Sequence, residues 1–188
     1  MSKTFDQKIG GAKPLVLIGM MGVGKTTIGQ ALAEHWGCLF VDSDREIERR
    51  AHRSVAQIFA EEGEDAFRRM ERDVIAALLD RPPCVVSLGG GAFLDEATRQ
   101  SIQEKALSVW LKASPEILSQ RLGDLSSRPL LAGSADPLKT ISALLAARSP
   151  FYALADLAVT CGAPSVATNA QAVIAALQAA QAPQTERG

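Results

Sequence analysis

A lysine and a threonine close a glycine-spaced loop near the start of the chain. The run Gly19-Met-Met-Gly-Val-Gly-Lys-Thr26 has the spacing G-x-x-x-x-G-K-[ST] in full. Glycines at these positions let the backbone curl until consecutive N–H groups point at phosphate oxygens. Lys25 supplies a point charge to the β- and γ-phosphates, and Thr26 offers a hydroxyl to Mg²⁺. The pattern predicts a nucleoside triphosphate site but not the reaction of the triphosphate.

Five further groups of charged or glycine residues follow the loop, several of them directly after apolar runs. They are Asp42-Ser-Asp44, Phe67-Arg-Arg-Met-Glu71, Gly89-Gly-Gly91, Arg128-Pro-Leu-Leu131 and Arg148-Ser-Pro-Phe-Tyr152. Open α/β sheets bind ligands outside the carboxyl ends of their strands. Residues that follow strands are therefore candidates for one shared site.

Taken singly, each group also has a purely structural explanation. Asp44 is suited to cap the helix that follows it. Arg68 and Glu71 lie three residues apart and form a solvated pair in many helices. Three glycines from Gly89 to Gly91 are compatible with a plain turn, although they also suggest a close approach to the backbone. Arg148 is placed to complement a helix C-terminus.

The elements that must position these residues are short apolar strands. The candidate strands are 15–19, 39–41, 85–88, 107–111 and 157–160. They are continuously apolar rather than alternating, as expected for a parallel sheet that is covered on both faces.

Helix signals fill the segments between these strands. We predict helices over 26–36 (stopped by Gly37), from the capping box at Ser54 to Gly63, over 64–80, after Asp136-Pro137, and after a second capping box over 168–171. Strand–helix alternation of this kind predicts one doubly wound α/β domain over 14–181. Residues 1–13 and 182–188 read as a flexible arm and tail, and the Gly-, Ser- and Pro-rich stretch 122–135 as a loop or mobile lid.

Composition limits the classes of partner and compartment. The 188-residue chain has 20 basic and 21 acidic side chains and a net charge of −1, so it offers no basic field for nucleic acid. Cys38, Cys84 and Cys161 have no disulfide or metal-binding spacing, which suits a reducing compartment. Residues 1–14 lack a signal-peptide core, and no apolar run is long enough to span a membrane. We therefore expect a cytoplasmic protein, and nothing in the chain requires more than a monomer.

Three classes of nucleotide-binding protein compete for the loop: a kinase, a GTP switch and an ATPase motor. The guanine-reading N-K-x-D motif is impossible here, because Asn169 is the only asparagine and Ala170 follows it. Motors usually need more chain for sensor and lid elements. A small-molecule kinase fits the length best.

Together and in order, the motifs G-M-M-G-V-G-K-T-T, F-V-D-S-D, F-R-R-M-E, L-G-G-G-A, R-P-L-L-A-G and R-S-P-F-Y resemble the shikimate kinase family. The resemblance covers about residues 15–152. It implies a three-layer P-loop kinase fold with a five-stranded parallel sheet in the order 2-3-1-4-5. It also implies that the protein phosphorylates the 3-hydroxyl of shikimate with ATP and Mg²⁺, a step on the route to aromatic amino acids.

On the ATP side, the resemblance assigns the phosphates to the loop and assigns catalytic roles to Lys25 and to the lid arginine. Thr26 would hold the metal, and Asp42 would support it through water. The implied ATP-binding residues are Gly22, Val23, Gly24, Lys25, Thr26, Thr27, Arg121 near the adenine, and Arg128 on the lid.

On the acceptor side, the resemblance makes Asp44 the base or orienting group for the reacting hydroxyl. Arg68 and Arg148 would clamp the shikimate carboxylate, with Glu71 holding Arg68. The turn Gly89, Gly90 and Gly91 would line the ring, with backbone contact from Gly90. Guanidinium forks pair bidentately with carboxylates, and hydroxyls need acceptors such as a carboxylate, so the residue types suit this acceptor.

Two alternatives stay open at this stage. A kinase for a related acid, such as gluconate or an aminoshikimate, would show a similar sequence. A catalytically idle relative that binds nucleotide and a partner is a second possibility, although the lysine, the aspartates and the lid arginine are all present. The segment 161–165 departs from the family, because it offers no polar side chain that we can assign to adenine.

Overall fold

The computed structural model of the protein describes residues 13–82, 84–122 and 136–181. This part of the chain forms five strands, seven α-helices and one 3₁₀ turn (Ala92–Leu94). The strands are β1 (Leu15–Ile18), β2 (Leu39–Asp42), β3 (Cys84–Ser87), β4 (Leu107–Lys112) and β5 (Leu157–Thr160). The helices are α1 (Lys25–Trp36), α2 (Ser43–Ala51), α3 (Val55–Leu79), α4 (Glu96–Lys105), α5 (Pro115–Leu122), α6 (Pro137–Tyr152) and α7 (Val166–Gln181).

The strands form one parallel sheet in the order β2-β3-β1-β4-β5, which confirms the predicted order. In the register of the sheet, Leu17 of the central strand lies opposite Ser87 and Val109. Every residue of β1 and β3 is buried, because crossover helices cover the sheet. Because the strands are parallel, all of them end at one edge of the sheet, and the phosphate-binding loop and the glycine turn follow β1 and β3 there.

Capping residues set the starts of several helices as predicted. Ser54 forms the capping box with Gln57, donating its N–H to Gln57 Oε1 at 2.8 Å and accepting from Gln57 N at 3.2 Å. Asp136 accepts from Lys139 N at 3.0 Å and caps α6. These local side-chain bonds replace the backbone partners that the first turn of a helix lacks.

One predicted helix break is confirmed and one predicted helix start is wrong. Gly63 leaves the helical conformation with a φ of 81°, so α3 consists of two helical stretches that meet at a kink there, which confirms the predicted break between the helix ending at Gly63 and the helix over 64–80. Thr168 does not begin the last helix, because α7 starts at Val166 and Thr168 lies in its first turn. Ser165 takes the capping position instead, with its Oγ accepting from Thr168 N at 3.4 Å.

Three predicted segments fall largely or wholly outside the described residues. They are the arm 1–13 (apart from Lys13), the lid 122–135 with Arg128 (apart from Leu122), and the tail 182–188. Among the described helices, none has the length and apolar character needed to cross a membrane.

Candidate active site

Three glycines with positive φ shape the loop between β1 and α1. The φ angles are 140° at Gly19, 80° at Gly22 and 100° at Gly24, all in a region that favours glycine. Gly24 caps α1 without a side-chain hydrogen bond, so the first amides of the helix have no cap from that residue. Lys25 Nζ donates to the carbonyls of Gly19 at 2.9 Å and Met20 at 3.1 Å. A helix N-terminus with a lysine on a curled loop is an anion-binding arrangement.

Thr26 and Asp42 meet beside this loop. The Thr26 hydroxyl donates to Asp42 Oδ2 at 3.1 Å, and Asp42 Oδ1 accepts from the N–H groups of Asp44 (3.1 Å) and Arg45 (3.3 Å). Asp42, rather than Asp44, is therefore the N-cap of α2, which rules out the capping explanation for Asp44.

The same hydroxyl and carboxylate provide a donor set that fits Mg²⁺. Mg²⁺ prefers oxygen ligands and is usually held by one or two carboxylates together with substrate phosphates. In residues 13–82, 84–122 and 136–181, no cluster of three His, Cys, Asp or Glu side chains could bind a metal by itself. The oxygens of Thr26 and Asp42 thus suit an ion that arrives with a nucleotide.

Asp44 lies at the start of α2 with one carboxylate oxygen buried. Within the described part of the chain, that oxygen, Oδ1, has no hydrogen-bond partner. Burial, reinforced by the charge of Asp42, raises the pKa of Asp44 to about 6, although Lys25 acts in the opposite direction. A buried acceptor with a raised pKa and no partner is typical of a functional site.

Arg68 and Glu71 form an ion pair in which the carboxylate is buried and the guanidinium is partly buried. The Arg68 Nη1 donates to Glu71 Oε2 at 2.7 Å, and the Glu71 side chain is only 3% exposed. Burial raises the pKa of Glu71 despite the arginine beside it. Burial disfavours the charged form of Arg68, but its bonds to Glu71 and Glu64 outweigh this and raise its pKa.

The glycine turn after β3 lies against these charged groups. A Cβ at Gly89 would lie 2.7 Å from Asp44 Oδ1, and one at Gly91 would lie 2.8 Å from Arg68 Nη2. A Cβ at Gly90 would lie 3.2 Å from Arg148 Nη1. The turn has no side chains because the carboxylate and both guanidinium groups occupy that space.

Arg148 reaches the same turn from α6. Its Nη1 donates to the carbonyl of Gly90 at 3.3 Å, and the buried Tyr152 hydroxyl donates to the same carbonyl at 2.5 Å. Arg148 lies inside α6, which runs on to Tyr152 through Pro150, so it does not merely complement a helix end.

Three residues of the site were not singled out from the sequence. The buried Ser43 accepts from Gly89 N at 3.1 Å, Tyr152 holds Gly90, and Glu64 contacts Arg68. Ser43 and Tyr152 lie inside quoted motifs, so a hydroxyl within a motif was the available signal. The four-residue spacing between Glu64 and Arg68 was the corresponding signal for the third.

The segment 161–165 after β5 is tied to the loop by Arg121. Arg121 donates to the carbonyls of Val23 (3.1 Å), Cys161 (3.0 Å) and Ala163 (2.8 Å). The buried Asn169 donates to Ala163 O at 2.8 Å and accepts from Ala163 N at 3.2 Å. The backbone of this segment is therefore fixed beside the loop although its side chains are small.

A cavity of about 300 Å³ is lined by the loop, the two aspartates, and Gly89 and Gly90 of the glycine turn. Arg68 and Arg148 contact that turn. A second hollow of about 260 Å³ lies between α2 and α3. It is lined by Arg50 and Arg53, which are already paired with Glu46 and with Glu61 and Glu62. It contains no phosphate-binding loop, so we assign the site to the first cavity.

Comparisons with known proteins agree with the geometry. A family model described as shikimate kinase matches residues 21–178. Shikimate kinase from Cereibacter sphaeroides is 50% identical over 165 residues, covering 88% of this chain and 82% of the relative. Shikimate kinase from Ruegeria pomeroyi is 49% identical over 181 residues, covering 94% and 91% of the two chains.

Solved structures show the same likeness. Shikimate kinase from Acinetobacter baumannii in complex with shikimate has a TM-score of 0.84 and 32% identity, covering 91% of this chain and 96% of that one. A gluconokinase from Sinorhizobium meliloti shares the fold, with a TM-score of 0.57 and 22% identity over 89% of this chain and 92% of its own.

Proposed function

This chain belongs to the shikimate kinase family, and we propose that it transfers the γ-phosphoryl group of ATP to the 3-hydroxyl of shikimate. The products are 3-phosphoshikimate and ADP. The observation that carries the proposal is the buried, unpartnered Oδ1 of Asp44, which shares a cavity with the phosphate-binding loop. A hydroxyl bound there would have its acceptor on one side and the ATP phosphates on the other.

On the ATP side, we propose that the loop amides from Gly22 to Thr27 and the charge of Lys25 hold the phosphates. Thr26 and Asp42, the latter through water, would hold Mg²⁺, which neutralises phosphate charge when it is bound. Arg121 would position the adenine end of the site through the loop and the segment after β5. Arg128, outside the described residues, would bring a further positive charge to the transferring group.

On the acceptor side, we propose that Arg68 and Arg148 bind the substrate carboxylate. The Glu71 carboxylate fixes Arg68, and the bare backbone of Gly89–Gly91 admits the ring. Asp44 accepts the hydrogen of the reacting hydroxyl and orients its oxygen toward the phosphorus. Alignment and charge neutralisation are the main requirements of phosphoryl transfer, and these residues supply both.

We further propose that residues 14–181 act as one kinase domain in a monomeric, cytoplasmic enzyme without a nucleic-acid or membrane partner. The single sheet supports one domain, and the three cysteines are free thiols, as a reducing compartment favours. Light scattering on the purified chain tests the oligomeric state, and a mass of twice 19.9 kDa would contradict it.

A coupled ADP-release assay tests the activity. Purified protein with ATP and Mg²⁺ is given shikimate, an aminoshikimate or gluconate, and we expect the highest kcat/KM with shikimate. A preference for another acceptor would redirect the proposal to a related kinase. ATP binding without turnover of any acceptor would support the idle relative.

Replacing Lys25 checks that the turnover belongs to this site. Lys25→Ala should lower kcat by about 10²–10³, the usual effect of removing one group that stabilises transition-state charge. Circular dichroism of the variant checks that the fold is retained. An unchanged kcat in a folded variant would place the chemistry elsewhere.

A further inference from the structure

Arg68 has a second acidic partner besides Glu71. Oε1 of Glu64 accepts from Arg68 Nη2 at 3.1 Å and from Nε at 3.3 Å, whereas Glu71 takes Nη1. The Glu64 side chain is 65% exposed and that of Glu71 is 3% exposed. The guanidinium is therefore held from inside by a buried carboxylate and covered from outside by an exposed one.

The kink in α3 places Glu64 at this position. Gly63 leaves the helical conformation, and Glu64 begins the helical stretch that continues to Arg68 one turn later. Side chains four residues apart lie on the same face of a helix, so the Glu64 carboxylate reaches the Nε and Nη2 edge of the guanidinium. Arg68 Nη2 also lies against Gly91, where the proposed substrate ring would enter.

The Nε and Nη2 atoms form the edge through which an arginine binds a carboxylate with two parallel hydrogen bonds. Glu71 is buried and cannot leave Nη1 without losing its partner in a desolvated place. Glu64 is exposed, so its carboxylate can return to water at little cost. Of the two carboxylates, only Glu64 can be exchanged for a ligand.

We propose that Glu64 is an internal competitor for the carboxylate of the substrate. It occupies the Nε and Nη2 edge of Arg68 in the empty enzyme and gives up that edge when shikimate binds. The inference rests on the proposed function, since it assumes that Arg68 binds the shikimate carboxylate. Glu64 thus raises the shikimate KM, and it disfavours acids that lack further contacts to offset the exchange.

Glu64→Gln tests this, with Glu62→Gln as the matched control. Glu62 is another exposed carboxylate of α3, and it pairs with Arg53 instead. The shikimate KM should fall about 1.5- to 5-fold in Glu64→Gln, the range set by exposed ion pairs, and stay unchanged in Glu62→Gln. The KM for ATP should not change in either variant. Calorimetric Kd values for shikimate without ATP should follow the KM values.

The wild-type enzyme is measured first, so that failure of the proposed function appears separately as absent shikimate binding and turnover. With wild-type activity in hand, a raised KM in Glu64→Gln would mean that Glu64 positions Arg68 and would overturn the proposal. An unchanged KM would overturn it too, as would an equal fall in both variants, which would indicate a general charge effect. Thermal unfolding confirms that each variant is folded.

Discussion

The carboxylate of Asp44 is surrounded by charges of both signs. Burial and the charges of Asp42 and Glu48 raise its pKa, whereas Lys25 and Arg68 lower it. The net pKa of about 6 means that burial and the acidic neighbours prevail. Asp44 is still mostly ionised at neutral pH, which is the form that accepts a hydrogen bond from a hydroxyl.

This pKa predicts an acid limb in the activity profile. The kcat/KM for shikimate should fall below about pH 6, approaching tenfold per pH unit, because protonated Asp44 cannot accept the hydroxyl hydrogen. The measurement is steady-state kinetics from pH 5 to 9 with saturating ATP. The residual activity of Asp44→Asn should lack this limb, and a limb that persists in the variant would belong to another group.

The raised pKa of Asp44 also predicts that a substitution that removes its charge makes the fold more stable while it impairs function. Because the pKa of Asp44 is raised from 3.8 in the unfolded chain to about 6, the folded state binds more protons between these values. Stability is therefore lost as the pH rises through that window. Asp44→Asn should raise the free energy of unfolding at pH 8 by about 1–3 kcal/mol, and the gain should shrink toward pH 4.

Denaturant unfolding of the wild type and two variants at pH 8 and pH 4 makes this measurement. Asp65→Asn is the control, since Asp65 is an exposed carboxylate of α3 and its change should stay within about 0.5 kcal/mol. A lower stability of Asp44→Asn at pH 8 would mean that ionised Asp44 stabilises the fold, contrary to the cause assigned to its pKa.

At the scale of elements, the glycine turn and the end of α1 use glycine for different reasons. Gly91 has no positive φ, and what it provides is space beside Arg68. Gly37 has a φ of 67° with open space around it, and what it provides is the left-handed conformation that ends α1. Alanine substitutions at the two positions therefore distinguish the effect of a lost space from the effect of a strained backbone conformation.

Gly91→Ala should raise the shikimate KM by at least roughly tenfold, because its methyl group displaces a guanidinium whose charged hydrogen bond contributes about 1.5–3 kcal/mol. The change in its unfolding free energy should be smaller than the free-energy equivalent of the change in its KM. Gly37→Ala should instead destabilise the fold by about 1 kcal/mol and leave the shikimate KM unchanged. Kinetics and denaturant unfolding of both variants check the pair, and the reverse pattern would contradict the geometry.

Local sequence signals predicted elements well where one physical cause dominates. Continuous apolar runs gave the five strands, and side-chain caps at Ser54 and Asp136 gave two helix starts. The break at Gly63 was also predicted, whereas the start of the last helix was misplaced at Thr168 because a second hydroxyl residue precedes it. Ser165, one turn earlier, takes the capping role that Thr168 was assigned.

The site was predictable in its residue types and much less in its contacts. Spacing and resemblance indicated Lys25, Asp44, Arg68 and Arg148, because a motif specifies the residue types and therefore their functional groups. The raised pKa of Asp44 depends on which charges the sheet order brings beside it. The second partner of Arg68, Glu64, lies outside the F-R-R-M-E motif, and its four-residue spacing was the only signal for it.

At the scale of the whole molecule, the sheet order brings the phosphate-binding loop and the glycine turn to one cavity. β1 carries the phosphate-binding loop, and its neighbour β3 leads into the glycine turn. Lys25 belongs to the loop, whereas Arg68, on α3, lies against the glycine turn. We call these two parts of the site its halves. If the halves bind different ligands, the stabilisation from each ligand should not depend on residues of the other half.

Thermal unfolding with each ligand separates the two halves. At 100 times its Kd, a ligand adds about 2.7 kcal/mol, or about 5–10 °C for a domain of this size. At the wild-type ligand concentrations, Arg68→Ala should lose the increment from shikimate and keep the one from ATP with Mg²⁺. Lys25→Ala should show the opposite pattern. Loss of both increments in either variant, with an unchanged melting temperature of the unliganded protein, would mean that the halves are one cooperative unit rather than two sites that meet at Asp44.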